Sequence, residues 1–565
     1  MRIGLLTEGG YPYVSGDARL WCDRLVRGLG QHEFDLYALS RTERQEREGR
    51  LPVPPHVSRV RTAALWSAPD PGPAQGRHAR RRFTEAYAEL AAVLCSAPDA
   101  AAADEAAEAD PAEADRFGSA LYALAELARE QGGLTGALRS ETALRALEQA
   151  CRAPGAQRAA RTARVPELLR TAEQLERALR PLSLDWYGDD TLGAADLCHA
   201  ASGGTAALTG LLAHRFAGVP LLVTEYGLQL RAHYLGTAHG TPPAVRALIA
   251  SFHRRLAAET YRRAARITSG NTHTRRWQER LGADRDKLRT VHPGMDTARF
   301  TEVGEAPDGA DPRTLVWAGR VEPAKDLTSL LHAFAEIREQ EPGARLRIVG
   351  APAGPEGTGY LEHCKALAAR LFPDESGGAH TAEENPVSFE DIGGPELPGP
   401  ADAYAAGAVV VLSSVVEGFP VGLVEAMLCG RATVSTDAGA VAEVIGGTGL
   451  VVPPRDPHAL AAACLALLRD PERRARLGAA ARARALELFT VEQNVTAFHD
   501  LYLEIVSHAP VRRVLLDGTG EPLPFGAPAE ARVPGHWTAP RLPHGRPHWA
   551  WDPARDPAPA TEAAR

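Results

Sequence analysis

The sequence predicts an α/β protein made of two parallel-sheet domains. Short β-branched runs alternate with amphipathic helical stretches from Ile3 to about residue 300, the pattern of strands joined by helical crossovers. The alternation pauses in the polar, acidic segment Gly304 to Asp311, expected to be an interdomain linker, and resumes at Thr314. A chain of 565 residues also exceeds what one core organises, so two domains with additions are expected.

Composition narrows the function classes. A net charge of −8 argues against a nucleic-acid partner. The seven cysteines (Cys22, Cys95, Cys151, Cys198, Cys364, Cys429, Cys464) are scattered without a C-x-x-C pair. That usage fits a reduced, cytoplasmic protein better than a disulfide framework or a zinc site. Met1 to Glu8 reads as a strand interrupted by Glu8, not as a signal peptide. No run of about 18 apolar residues occurs, so no membrane span is expected, and peripheral association is left open.

In the first half, Ile3 to Leu6 is the opening strand and Gly9 to Asp17 its exit loop. A helix follows with Leu20, Trp21, Leu25 and Leu29 on one face. Phe34–Leu39 and Val57–Arg61 are the next strands. Ligands of parallel sheets lie beyond the carboxyl ends of the strands, which makes the exit loop a candidate. Gly16 would allow close backbone approach to a phosphate or sugar, and Asp17 is either a ligand contact or a helix N-cap. Residues 67–180 read as a helical insertion, with helices over Phe83–Leu94, Leu121–Glu130 and Val165–Leu179 and a flexible alanine- and acid-rich loop near Ala97–Asp115. A lid, a partner surface or filler are all open for it. Strands return at Leu197–Ala200, Leu221–Gly227, Arg266–Asn271 and Leu288–Val291, with helices between. His199 is either a satisfied sheet-end histidine or a substrate contact. Glu225 and Tyr226 end a strand on the ligand side.

The second half centres on Glu417-Gly-Phe-Pro-Val-Gly-Leu-Val-Glu425. Before it runs Val409 to Ser414, a buried-strand signal; after it, Val424, Met427 and Leu428 fall at helical spacing. Strand, Gly/Pro loop and helix N-terminus together suit a phosphate. Ionised Glu417 and Glu425 would grip sugar hydroxyls; the bland alternative is a pair of solvated helix-end glutamates. Upstream, the strand Thr314–Ala318 exits into Gly319-Arg320-Val321-Glu322-Pro323-Ala324-Lys325-Asp326. Arg320 as a fork and Lys325 as a point charge suit a diphosphate, unless the loop is merely basic and solvated. Further strands are expected at Arg347–Gly350, Val387–Asp391 and Ala432–Thr436, and closing helices at about 457–469, 471–488 and 491–507. From Pro510 the chain is rich in Pro, Arg and Gly. A disordered tail is expected there, with the aromatic pairs at His536-Trp537 and His548-Trp549 able to dock on the body or on a protein partner.

These motifs resemble a family. Pro293-Gly-x-Asp296, Gly319-Arg320-x4-Lys325 and Glu417-Gly-Phe-Pro-x4-Glu425, in this order, are similar to the retaining glycosyltransferases of family four, whose fold is GT-B: two Rossmann-like domains facing a crevice. Glu8-Gly-x-Tyr11-Pro12-Tyr13-Val14-x-Gly16 with Trp21, His199-Ala-x-Ser202-Gly and Thr224-Glu225-Tyr226-Gly227 resemble its PelF-type branch. The resemblance implies an acceptor-side domain over 1–300, a donor domain over 312–485, a closing helix over 486–507 that packs back toward the first domain, and a tail over 510–565. It also implies retaining transfer of a hexosyl group from a nucleotide sugar, with UDP favoured, to a polysaccharide or glycoconjugate. Arg320, Lys325 and Glu417 take the catalytic roles. Gly16, Gly319, Val387, Phe389, Gly418, Phe419, Pro420, Gly422, Leu423 and Glu425 line the donor, with Glu425 on the ribose. Asp17, His199, Glu225 and Tyr226 face the sugar or acceptor. No metal and no cofactor are expected.

Two positions depart from the pattern. Asp17 stands where the family's glycine loop carries a second glycine, and Tyr226 stands where the branch has histidine. Tyrosine, with a pKa near 10, is a poor base at neutral pH. Two other classes follow: a catalytically silent nucleotide-sugar-binding or partner protein, supported by Asp17 and Tyr226, and another enzyme on the same frame, an epimerase or a phosphorylase.

Overall fold

The structure, a computed structural model, describes residues 1–15, 19–67, 70–97, 111–236, 240–306, 309–373, 385–393, 397 and 399–511. Two compact units emerge. Among the described residues, one comprises those within 1–267, 280–288 and 498–511; the other comprises those within 268–279 and 289–497.

The first unit is organised on a seven-stranded sheet. Its strands are β1 (Arg2–Glu8), β2 (Glu33–Ser40), β3 (Val57–Ala64), β4 (Leu197–Ala200), β5 (Leu221–Glu225), β6 (Arg266–Ser269) and β7 (Leu288–Thr290), in the order β3-β2-β1-β4-β5-β6-β7. β1 pairs in parallel with β2 (Leu5 opposite Leu36) and with β4 (Leu5 opposite His199). The sheet order reverses between β1 and β4, and such a switch point opens a crevice above the strand ends. Glu8 and the loop after Ala200 lie there. The helix Thr205–Ala217 buries Thr205 to Ala213 and stops at Gly218, whose φ of +66° is a left-handed cap.

The expected insertion is helical, between β3 and β4. It holds Arg77–Cys95, Pro111–Gln131, Leu134–Leu138, Glu141–Arg152, Arg158–Arg161 and Val165–Leu179. Cys95, Leu147, Cys151, Leu168 and Leu248 share one apolar cluster, so the insertion packs on the long helix Pro243–Arg263. The flexible loop expected over Ala97–Asp115 needs correction, because Pro111 to Asp115 already belong to a helix; residues 98–110 lie outside the described residues. Leu20 is a second correction. It is 52 % exposed, and the helix Arg19–Gly28 buries Trp21, Cys22, Leu25 and Val26 instead.

The second unit carries β8 (Asp311–Ala318), β9 (Arg345–Val349), β10 (Val387–Glu390), β11 (Gly407–Leu412), β12 (Ala432–Thr436) and β13 (Leu450–Val452), in the order β10-β9-β8-β11-β12-β13. The switch point is between β8 and β11, where Val316 lies opposite Val410. All six residues of β11 are buried, which is why its sequence is a continuous apolar run. β13 and the short helices Pro400–Ala405 and Val441–Ile445 carry too little periodicity to be read from sequence. The linker expectation is corrected too: Gly304 and Glu305 end the helix Ala298–Glu305, and Asp311 opens β8. The fold class is that of two Rossmann-like parallel-sheet domains, as in GT-B proteins. The tail from residue 512, with its aromatic pairs, lies outside the described residues.

Candidate active site

The β8 and β11 exit loops are stitched together. Ser413 Oγ donates to the Lys325 carbonyl (2.7 Å), and the Val415 N–H donates to the Ala324 carbonyl (2.9 Å). Asp326, at φ +46°, turns the chain and caps the helix Leu327–Gln340 by accepting the Ser329 N–H (3.3 Å), with the Ser329 hydroxyl also donating to it (2.7 Å). Gly350 supports this loop from β9. With φ +148°, a Cβ there would lie 1.8 Å from the Gly319 carbonyl oxygen.

This stitching brings two sequence-predicted residues into contact. Lys325 Nζ lies 2.6 Å from Glu417 Oε2, and Ser414 Oγ donates to the same oxygen at 3.0 Å. Both side chains are mostly covered, at 18 % and 12 % exposure. Arg320 is exposed on the same loop as Lys325. Gly439, after β12, closes the other side at φ +60°; a Cβ there would stand 2.3 Å from the Glu417 carbonyl oxygen. Thr436 Oγ1 donates to the Ser414 carbonyl (2.6 Å), and the Ala440 N–H to the Gly418 carbonyl (3.1 Å).

Glu425 sits in the second turn of the helix Val421–Leu428 and accepts from Tyr404 Oη at 3.0 Å. Tyr404 is buried, and burial with that carboxylate beside it pushes its pKa well above the usual value. Gly422 is tightly enclosed, because a Cβ there would be 3.2 Å from Tyr404 Oη. Leu423 has its own partners within the protein. Its side chain is buried and its N–H donates to the Pro420 carbonyl at 3.1 Å. The Gly422 N–H has no backbone acceptor among the described residues. Phe419 stacks edge-on to Phe489 at 5.7 Å, and Pro420 is buried. Val387 belongs to the core and Phe389 packs against it.

The acceptor-side residues are held by the protein's own groups. His199 is fully buried, with Nδ1 at 2.7 Å from Tyr502 Oη and Nε2 at 2.7 Å from Thr224 Oγ1. Burial pushes its pKa down to about 3. Both nitrogens are engaged by protein groups, the arrangement of a satisfied sheet-end histidine. Glu225 is 2 % exposed, accepts from Tyr261 Oη at 2.5 Å, and fills the place a Gly203 Cβ would need. It too is turned inward. Tyr226 sits edge-on to Trp21 at 5.0 Å. Gly16 and Asp17 lie outside the described residues.

Sequence reasoning left Glu8 out of the site. Its Oε2 accepts the Thr205 N–H at 2.9 Å, at the start of the helix Thr205–Ala217, and Arg41 pairs with its Oε1 at 3.0 Å. The signal was present: a carboxylate ending the first strand. Ser413, Ser414 and Tyr404, which tether the donor-side residues, carry no motif of their own.

Residues 1–286 match a domain of unknown function, DUF3492. The chain belongs to the DUF3492 family. Residues 312–470 of this DUF3492 protein match the model described as glycosyl transferases group 1. Among curated proteins it is 32 % identical over 238 residues to a D-inositol 3-phosphate glycosyltransferase of Streptomyces bingchenggensis, covering 40 % of this chain and 49 % of that one. A protein of the same name from Rhodococcus erythropolis is 31 % identical over 309 residues, covering 52 % and 64 %. The chain thus spans about half the length of several curated relatives it matches. Among solved structures, Anabaena HepE in complex with UDP superposes with a TM-score of 0.51 at 15 % identity, covering 89 % of this chain and 99 % of that one. Sucrose-phosphate synthase from Thermosynechococcus elongatus gives 0.53 at 16 %, covering 90 % and 100 %. These structural likenesses concern the fold.

Proposed function

We propose that this DUF3492 protein is a retaining glycosyltransferase of the PelF-type branch. It moves a sugar from a nucleotide-sugar donor, with UDP the favoured nucleotide, to a glycan or glycoconjugate. The observation that carries the reading is the meeting of Lys325 and Glu417 above the β8–β11 switch point, inside the stretch that matches group 1 glycosyltransferases. The branch placement rests on the motifs at Glu8, His199 and Thr224, which fall in the DUF3492 stretch.

The chemistry follows from charge. As the bond between the anomeric carbon and the diphosphate breaks, negative charge grows on the departing phosphate. Lys325 and exposed Arg320 are fixed cations for that charge. A diphosphate oxygen would replace Glu417 as the partner of Lys325, and the released Glu417 would accept from sugar hydroxyls. Glu425, held by Tyr404, is assigned to the ribose, and the Gly422 N–H to a phosphate oxygen. With both nitrogens of His199 engaged and Glu225 turned inward, the acceptor's proton is assigned to the leaving phosphate. We assign no metal, no cofactor and a cytoplasmic location to the reaction. No described helix is long and apolar enough to cross a membrane.

Calorimetry with UDP-, GDP- and ADP-sugars, followed by determination of the product's anomeric configuration, tests this. The acceptor panel should include an inositol phosphate, because that substrate appears in the names of the curated relatives. Selective donor binding and a product with the donor's configuration are expected. An inverted product would refute the retaining assignment; binding without turnover across the panel would favour a silent binder.

A further inference from the structure

Seven cysteines are buried and free, yet two of them touch. Cys95 is the last residue of the helix Arg77–Cys95, and Cys151 lies one residue from the end of the helix Glu141–Arg152. Their sulfurs are 3.5 Å apart across 56 residues of chain. No other cysteine pair is in hydrogen-bonding contact among the described residues. A disulfide needs about 2.05 Å, so the sulfurs must close by about 1.5 Å.

The surroundings favour closure. The two helix ends are already tied by backbone: the Gln157 N–H donates to the Cys95 carbonyl (2.8 Å) and the Ala97 N–H to the Gly155 carbonyl (3.1 Å). Although Cys151 is 2 % exposed, Arg152 to Gly155 beside it are all exposed, so the pair is close beneath the surface. The thiols share a contact in which either can donate. Cys151 adjoins the exposed stretch 152–155, and the Arg152 guanidinium beside it favours its thiolate. Cys151 is therefore the sulfur placed to react first.

We propose that Cys95 and Cys151 are a redox modification site, a dithiol that a peroxide closes into a disulfide joining the two insertion helices. The Cys151 thiolate attacks one peroxide oxygen, breaking the O–O bond, releasing hydroxide and leaving a sulfenic acid. The Cys95 sulfur then displaces that hydroxyl, which leaves as water when the Cys95 proton is counted. Two thiols lose two electrons and two protons, and one hydrogen peroxide becomes two waters. The stretch that matches group 1 glycosyltransferases takes no part, so the inference stands independently of the reaction proposed above.

The test treats the full chain with hydrogen peroxide, alkylates accessible thiols, unfolds the protein and counts the thiols that remain alkylatable. A fall from seven to five, one linked peptide joining Cys95 to Cys151, and reversal by dithiothreitol are expected. Amide exchange at the facing helix ends should slow in the oxidised form. In Cys151→Ala the linked peptide should vanish. Seven alkylatable thiols after treatment, or a linkage between other cysteines, would overturn the proposal. The wild-type peptide map decides this even if the variant folds poorly.

Discussion

Lys325 Nζ is 2.6 Å from Glu417 Oε2 across the β8–β11 switch point, and Ser414 shares that oxygen. A cation and a carboxylate expected to grip different parts of one donor are each other's partner in the free protein. On the proposed function, donor binding exchanges this ion pair for two sets of contacts, and mutants of either residue should report on that exchange.

On the proposed assignment, Lys325→Ala removes a fixed cation for the departing diphosphate. Turnover should fall by about 10²-fold, in line with loss of one charge-stabilising group. Arg320→Ala should do the same. Steady-state kinetics with the preferred donor measures both, and wild-type turnover in either variant would remove the diphosphate assignment.

Glu417→Gln keeps the shape but releases Lys325 from its carboxylate. Free nucleoside diphosphate should then bind as tightly as in the wild type or tighter, while transfer falls by about 10²-fold. Calorimetry with UDP alone separates the two effects. Weaker UDP binding would mean that Glu417 does not compete with phosphate for Lys325.

Gly439→Ala asks whether backbone alone positions Glu417. The residue adopts φ +60°, and its new Cβ would stand 2.3 Å from the Glu417 carbonyl oxygen. A backbone oxygen cannot swing aside as a side chain can, so the loop must shift. Transfer should drop at least about tenfold, since small misplacements are costly at a reacting centre. Circular dichroism should still show a folded protein.

His199→Gln addresses stability instead of chemistry. Two buried hydroxyls, of Thr224 and Tyr502, lose good partners, at about 1–3 kcal/mol for an unsatisfied group. The pH dependence has a definite sign. The folded-state pKa is depressed to about 3 from the ordinary 6.5, so the unfolded chain binds the extra proton between those values. This contribution is complete above pH 6.5 and is lost as pH falls toward 3. Urea titrations at pH 7 and pH 5 should show a smaller acid loss in the variant than in the wild type.

How much was legible follows from the kind of signal each residue carries. β11 is an unbroken apolar run and could hardly be read otherwise, and the spacing of Glu417 and Glu425 is local, whereas the meeting of Lys325 with Glu417 spans 92 residues. The direction in which His199 and Glu225 turn is not local. Both end strands on the ligand side, but Tyr502, Thr224 and Tyr261 decide their orientation, and Tyr502 lies 303 residues from His199. The Leu423 amide, by contrast, is engaged locally, since it closes the helix's own first turn. The contact between Cys95 and Cys151 is likewise tertiary, with nothing in their spacing to mark it.

Nucleoside diphosphate release from UDP-, GDP- and ADP-sugars, run side by side on the wild type and Lys325→Ala, tests the central claim most directly. Slow, donor-selective release by the wild type and its loss by about 10²-fold in the variant are expected. Equal release by the two proteins, or none from any donor with acceptors supplied, would contradict a transferase site built on Lys325 and Glu417.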